Sequence, residues 1–319
     1  MSILEIKNLN LSFKSNGVDY KALHNVNLDL NCAEMHAIVG ESGCGKTITA
    51  MSVLRLLASN AKIISGQIIY NNQNLLELSE KDMQKIRGKE IALIPQDPMT
   101  SLNPLYTIGS QIMEIIETHQ NLKGEEAEKV AVDVLDMVKI PNAKERLKSY
   151  PHEFSGGMRQ RVIIAMAIAC RPKIIIADEP TTALDVTVQA QIMELLKEIQ
   201  QNLGTAFIFI SHDFGLVYKT ADRVSVMYNG HVVENSLAVD LFKNPKHPYT
   251  KALIRTLPDF NSTKLETIEG QPPSIKDIFM GCPFEPRCSK KINECKTTKP
   301  DCYSVENSLV SCLLYRQKL

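Results

Sequence analysis

One stretch of eight residues constrains this chain more than any other. Gly40-Glu41-Ser42-Gly43-Cys44-Gly45-Lys46-Thr47 matches G-x4-G-K-[ST]. It follows the apolar run His36–Val39, which suits a buried strand, and opens the helix-forming segment Thr47–Leu57. Strand, glycine-rich turn and helix in that order is the context the pattern requires. The glycines let successive N–H groups turn inward around phosphates, and the helix N-terminus adds partial positive charge. Lys46 is placed to reach the β and γ phosphates, and Thr47 to ligate Mg²⁺. A glycine-rich turn that binds nothing is a poor account of an intact pattern in that setting.

A second apolar run, Lys173–Ala177, ends in Asp178 and Glu179. On a parallel strand neighbouring the phosphate loop, both carboxylates would stand at the carboxyl edge of the sheet. Asp178 is then the Mg²⁺ partner and Glu179 the base that polarises the attacking water. Alone, such a pair could equally cap a strand in solvent. The surrounding signals are alternating: strand Lys173–Ala177, helix Thr187–Asn202, strand Ala206–Ile210, which argues an α/β fold with a parallel sheet. Leu4–Phe13 and Ala22–Leu30 read as half-buried antiparallel strands, and Gly66–Tyr70 as a strand entering a turn. From Ile108 to Lys139 the pattern is helical, with Val130, Val134 and Val138 at spacing four, and is expected to form a helical insert in the sheet core.

Composition narrows the partners. The 319 residues carry 36 basic and 36 acidic side chains, so net charge gives no support to nucleic acid or an anionic membrane surface as the main partner. The first residues lack a basic and an apolar leader region, and no run of 18 apolar residues occurs, so neither export nor membrane spanning is expected of the chain itself. Beyond about residue 235 prolines break the periodicity and five cysteines (Cys282, Cys288, Cys295, Cys302, Cys312) gather. A boundary is expected there, giving residues 1–235 and 236–319, with about 97–157 as the helical subdomain.

Phe154-Ser155-Gly156-Gly157-Met158-Arg159-Gln160 lies between the two motifs and resembles the signature of ATP-binding cassette (ABC) ATPases. Gln96 after an apolar strand, Ala183-Leu184-Asp185 after the carboxylates, and His212 after the strand ending FIFIS follow in that family's order. The resemblance covers essentially the whole chain and implies a P-loop NTPase fold: a RecA-like core, an antiparallel β subdomain and an inserted helical subdomain, with a small Cys-rich C-terminal region added. It further implies that Ser155, Gly156, Gly157 and Gln160 serve the ATP held by a partner subunit's loop. Hydrolysis then needs two cassettes face to face. Ser155 also suits a helix N-cap, and both roles can coexist. His212 would hold the γ-phosphate and water beside Glu179, and Gln96 would sense Mg²⁺ and water. Phe13 is the expected adenine-stacking aromatic, with Tyr20 as runner-up.

Within that family the chain looks like the peptide and nickel importer ATPases of bacteria, on Gln96–Pro104, Thr181–Gln189 and Asn244–Thr250. Thr49–Leu57 resembles the first of the two ATPases in such importers. The resemblance implies a motor subunit for di- or oligopeptide import at the cytoplasmic face of the membrane. Its partners would be a sister ABC ATPase in a heterodimer, two transmembrane permeases and, through the complex, a substrate-binding protein. Nickel or another small solute is the alternative cargo. A soluble cassette acting on DNA or ribosomes is the alternative class, but a single cassette with a modest insert offers it little. The tail resembles the pattern in which some of these ATPases hold a [4Fe–4S] cluster, through Cys282, Cys288, Cys295 and Cys312, leaving Cys302 over. A zinc site and unligated thiols remain the other readings, although the spacing is unlike common zinc knuckles.

Overall fold

The computed structural model describes residues 2–182, 184–256 and 268–316. The chain packs as two units, one made of Ser2–Leu30, Met35–Leu76 and Ser211–Leu319, the other of Asn31–Glu34 and Glu77–Ile210.

In the first unit, strands Val18–Asn31, Ser2–Ser15, Ala61–Tyr70 and Gln73–Asn74 form an antiparallel sheet in that order. Leu4 pairs with Tyr70 and Ile6 with Ile68, so Leu4, Ile6, Ile68 and Tyr70 are all buried on one face. A second set of strands is built on Met35–Val39, every residue of which is buried. It runs parallel to Arg223–Tyr228, which turns back through Asn229-Gly230 into His231–Leu237. Both turn residues have positive φ, 44° and 75°, as the tight turn of a right-twisted hairpin demands. His231–Leu237 then pairs with Ser308–Val310, and that strand with Tyr303–Val305. The division expected at 235/236 therefore falls inside a strand. Glu234 pairs with Val310, so this strand is shared between the part before residue 236 and the proline-rich part after it.

The motif Asn244–Thr250 anchors that later part. The carboxylate of Glu234 is fully buried and accepts the N–H groups of Lys246 and His247, each at 2.8 Å. His247 caps helix Pro248–Arg255 by accepting the N–H of Tyr249 at 3.0 Å. Burial pushes His247 down to about 3, so it is neutral and free to accept.

The second unit holds three parallel strands, Ile91–Ile94, Ile174–Asp178 and Ala206–Ile210, with Ile91 opposite Ile174 and Ile174 opposite Ala206. The latter two are buried at every position, and their near-continuous apolar sequence is what a parallel sheet covered on both faces selects. Between residues 97 and 157 every regular element is helical. The expected single stretch is two helices, Ile108–Gln120 and Glu125–Met137. Asn121, with φ 58°, ends the first in the left-handed conformation that Asn tolerates best among side-chain-bearing residues. The buried stripe of the second is Ala127, Ala131, Val134 and Leu135, and Val130 lies beside it. Helix Val186–Leu203 buries Ile192, Met193, Leu195, Leu196 and Ile199, each contributing roughly 2 kcal/mol against exposure. No described helix is long and apolar enough to cross a membrane.

Candidate functional site

Gly40–Thr47 forms the connection from strand Met35–Val39 to helix Lys46–Leu54, with Gly45 at the N-cap. Gly40 adopts φ 149°, and a Cβ there would stand 2.2 Å from the carbonyl oxygen of Met227. Only glycine lets the loop leave the strand this close to its neighbour. The Lys46 ammonium is buried in the loop, donating to the carbonyl oxygens of Gly40 (2.8 Å) and Glu41 (3.0 Å). Cys44 is buried too, and burial pushes its thiol up, with Lys46 drawing it partly back. Ser42, Gly43 and Thr47 face solvent. The result is a cationic, N–H-rich turn at a helix N-terminus, which is the chemistry of a polyphosphate cradle.

Glu41 is held from a distance in sequence. Its N–H donates to the Tyr249 hydroxyl oxygen at 3.0 Å, and its carboxylate receives both terminal nitrogens of Arg287, at 2.7 and 2.9 Å. Neither partner was singled out in the sequence. Tyr249 lies in the Asn244–Thr250 motif and Arg287 between two of the clustered cysteines, but nothing in either segment points to the loop.

In the other unit, Asp178 ends its strand almost fully buried and Glu179 follows it with φ 45°. That left-handed backbone, unfavourable for a glutamate, is held by the Glu179 N–H donating to the Ile210 oxygen at 3.1 Å. One carboxylate oxygen of Glu179 accepts from the Gln96 side-chain amide at 3.1 Å and from the Thr182 hydroxyl at 2.9 Å. The structure thus brings together Gln96 and Glu179 and adds Thr182. A half-buried carboxylate held by neutral donors is the chemistry of a base for a water proton.

The ABC transporter family model matches residues 23–182, and a model for the oligopeptide/dipeptide transporter C-terminal region matches residues 233–295. The dipeptide transport ATP-binding protein DppD of Bacillus subtilis is 46% identical, with 99% of this chain and 96% of that protein covered. This chain belongs to the ABC transporter ATPases. The oligopeptide transport ATP-binding protein OppD of Salmonella typhimurium is 46% identical over 93% of this chain and 89% of its own length. Among solved structures, a dimeric ATP-binding cassette in a post-hydrolysis state bound to ADP and Pi superposes with a TM-score of 0.66. It is 29% identical and covers 74% of this chain and 98% of its own. CbiO1 of Clostridium perfringens, part of a cbiONQ ABC transporter complex, also gives 0.66, at 28% identity over 76% of this chain and 91% of its own.

The cassette's signature sits at the start of helix Gly156–Ile168. Ser155 is its N-cap, accepting the Met158 N–H at 3.3 Å, and Ser155 and Gly156 are exposed. A Cβ on Gly157 would lie 2.7 Å from Cγ1 of Val188, so close packing on the next helix already excludes a side chain there. Gln160 is fully buried and neither atom of its amide has a hydrogen-bond partner. Leu184 is half-buried, Asp185 caps helix Val186–Leu203 through the Val188 N–H at 3.0 Å, and Ala183 lies outside the described residues. His212 is exposed, two residues beyond strand Ala206–Ile210. Phe13 is half-buried at the end of its strand's pairing with Ala61. Tyr20 lines a cavity of about 310 Å³ with His24, His231 and Ile278.

The cassette ATPase's tail cysteines sort into two kinds. Burial pushes Cys282 up to about 12, with the charges of Cys295, Cys312 and Cys288 adding to it, and Cys312 up to about 11, with Cys288 and Cys295 adding. Cys302 is not among the charges that Cys282 and Cys312 feel. Yet no group of three or more His, Cys, Asp or Glu among the described residues could hold a metal ion. The metal-binding expectation thus finds no assembled site among the described residues.

Proposed function

We propose that this ATPase drives a bacterial importer of di- or oligopeptides, working as a heterodimer with a sister ATPase on two membrane permeases at the cytoplasmic face of the membrane. A substrate-binding protein would deliver cargo to that complex. The peptide cargo is supported by the C-terminal match and by the dipeptide and oligopeptide transport functions of the relatives. The dimeric state of a similar cassette, bound to ADP and Pi, supports pairing. Docking to permeases is supported by Met99, Leu105 and Tyr106, which are 60, 81 and 58% exposed on the helical subdomain just after Gln96, where apolar surface has a use only if covered.

The observation that carries the catalytic reading is the Gln96–Glu179–Thr182 cluster. In this reading Gly40–Thr47 takes the phosphates and Ser155, Gly156 and Gly157 serve the partner subunit's nucleotide, while Gln160, expected with them, is fully buried and does not reach it. Glu179 receives the proton of the attacking water, His212 orients that water, and Phe13 stacks on the adenine. Mg²⁺, when bound, neutralises phosphate charge, and Thr47, Gln96 and Asp178 carry the oxygens suited to hold it. Glu179→Gln removes the base while keeping a hydrogen-bonding side chain. Turnover should fall at least about 100-fold, the usual range for a lost general base, while MgATP stays bound and the dimer persists. Unchanged turnover would refute the role.

For the tail, we propose Cys282, Cys288, Cys295 and Cys312 as the holders of a [4Fe–4S] cluster. Burial and the charges of neighbouring tail cysteines push the Cys282 and Cys312 thiols up, a cost that a cationic iron core would relieve. A cluster also spans a wider gap between sulfurs than a single ion does.

A further inference from the structure

Glu41 is the second residue of the phosphate loop and is fixed at three points. Its carbonyl oxygen accepts from Lys46, its N–H donates to Tyr249, and its carboxylate is forked by Arg287. The last two come from the part of the chain beyond residue 236. The Arg287 side chain is 5% exposed and is itself over-determined. Its Nε donates to the Glu269 carbonyl oxygen at 3.0 Å, Nη1 reaches the Tyr228 hydroxyl at 3.4 Å, and the guanidinium lies 5.8 Å from the Tyr228 ring centroid. Three residues earlier, Phe284 is 2% exposed and packs against Tyr228 and Tyr249, both ring centroids at 5.2 Å. The segment Cys282–Cys288 is thereby seated on the same aromatic group that holds Glu41.

We propose that Arg287 is a positioning residue of the nucleotide site, holding and neutralising Glu41 so that the C-terminal extension sets the phosphate loop's affinity for nucleotide. Two physical effects act together. A bidentate Arg–carboxylate pair restricts the loop geometrically, and a loop that spends a smaller fraction of time in its binding geometry binds more weakly by that fraction. A bare carboxylate on a loop that cradles a polyanion would also repel it, and the guanidinium cancels that charge. Arg287 touches no reacting atom and acts through Glu41.

The test is binding of a fluorescent ATP analogue and its ADP counterpart to the purified full-length chain, with Kd read by titration. Arg287→Ala should weaken ATP-analogue binding about 10-fold and ADP-analogue binding less, because the uncovered carboxylate repels the extra phosphate. Adding Glu41→Gln to Arg287→Ala should recover most of the loss, since the uncovered charge is then gone. Arg287→Lys, which keeps the charge but not the fork, should fall between wild type and alanine. A merely structural arginine predicts the reverse for the double variant, which would bind no better than Arg287→Ala. That result, or wild-type affinity in Arg287→Ala, overturns the proposal. Should the alanine variant not fold, Arg287→Gln, which also removes the charge, decides it with and without Glu41→Gln: recovery in the double variant supports the proposal and no recovery overturns it. None of these outcomes depends on the cargo or on metal in the tail.

Discussion

Replacing His36 by Gln should flatten the acid dependence of stability. His36 is fully buried, with Nδ1 3.0 Å from the Asp29 carbonyl oxygen and Nε2 2.9 Å from the Ser225 hydroxyl. A carbonyl only accepts, so Nδ1 carries the proton and Nε2 accepts from Ser225. Burial, then the charge of Arg223, pushes the imidazole down to about 4, against a pull upward from Asp29. An unfolded histidine titrates near 6.5. The folded value is the lower one, so below pH 6.5 the unfolded chain takes up a proton the folded chain refuses. Stability from this group is complete above pH 6.5 and is lost as pH falls toward 4. With these two values, folding loses about 2 kcal/mol between pH 7 and pH 5, and about 3 kcal/mol by pH 4. Urea unfolding at pH 7 and pH 5 measures this directly, and the variant should lose about 2 kcal/mol less than wild type over that interval. Gln retains one donor and one acceptor, and His247, neutral for the same reason, titrates equally in both proteins. Equal pH dependence in the two would refute the assignment of His36 as a buried neutral imidazole.

Gly157→Ala should lower stability by about 1–3 kcal/mol through its contact with Val188, visible as a fall in Tm. Val188→Ala in the same chain should return the Tm but not the ATPase activity if the glycine face serves a partner's nucleotide. For the tail, anaerobically purified protein should be brown with broad visible absorption and contain about four irons per chain. Colourless protein with one zinc would sink the cluster.

Sequence reading reached furthest where structure is local or periodic. The strand expected over Ala206–Ile210 is the strand observed, because a fully buried parallel strand has no option but an unbroken apolar run. The phosphate loop was legible for the same kind of reason, since its glycines answer to backbone geometry within eight residues. Helical periodicity found the insert but not the break at Asn121, which depends on a left-handed turn that Asn permits without announcing. The choice of Val130 over Ala131 shows the companion weakness: alanine marks a closely packed helix face as well as valine does, yet carries little weight in a hydrophobic pattern. Contacts such as Glu41 with Arg287 were out of reach, because a pairing across 246 positions leaves no local signature in either segment. The Thr182 contact with Glu179 leaves no signal although the two are only three positions apart, since a threonine after a strand has many ordinary uses.

The Arg287–Glu41 pair has a bearing on how the protein is made. Synthesis runs from residue 1, and the loop at 40–47 emerges early, yet the arginine that forks its glutamate is 246 residues further along. A nascent chain therefore carries its phosphate loop for most of its translation without that support, and a chain stalled or cleaved before residue 287 never acquires it. Loop closure over so long a separation is late and slow compared with the local helices and hairpins. The contact therefore forms only after residue 287 has been synthesised and has found its place.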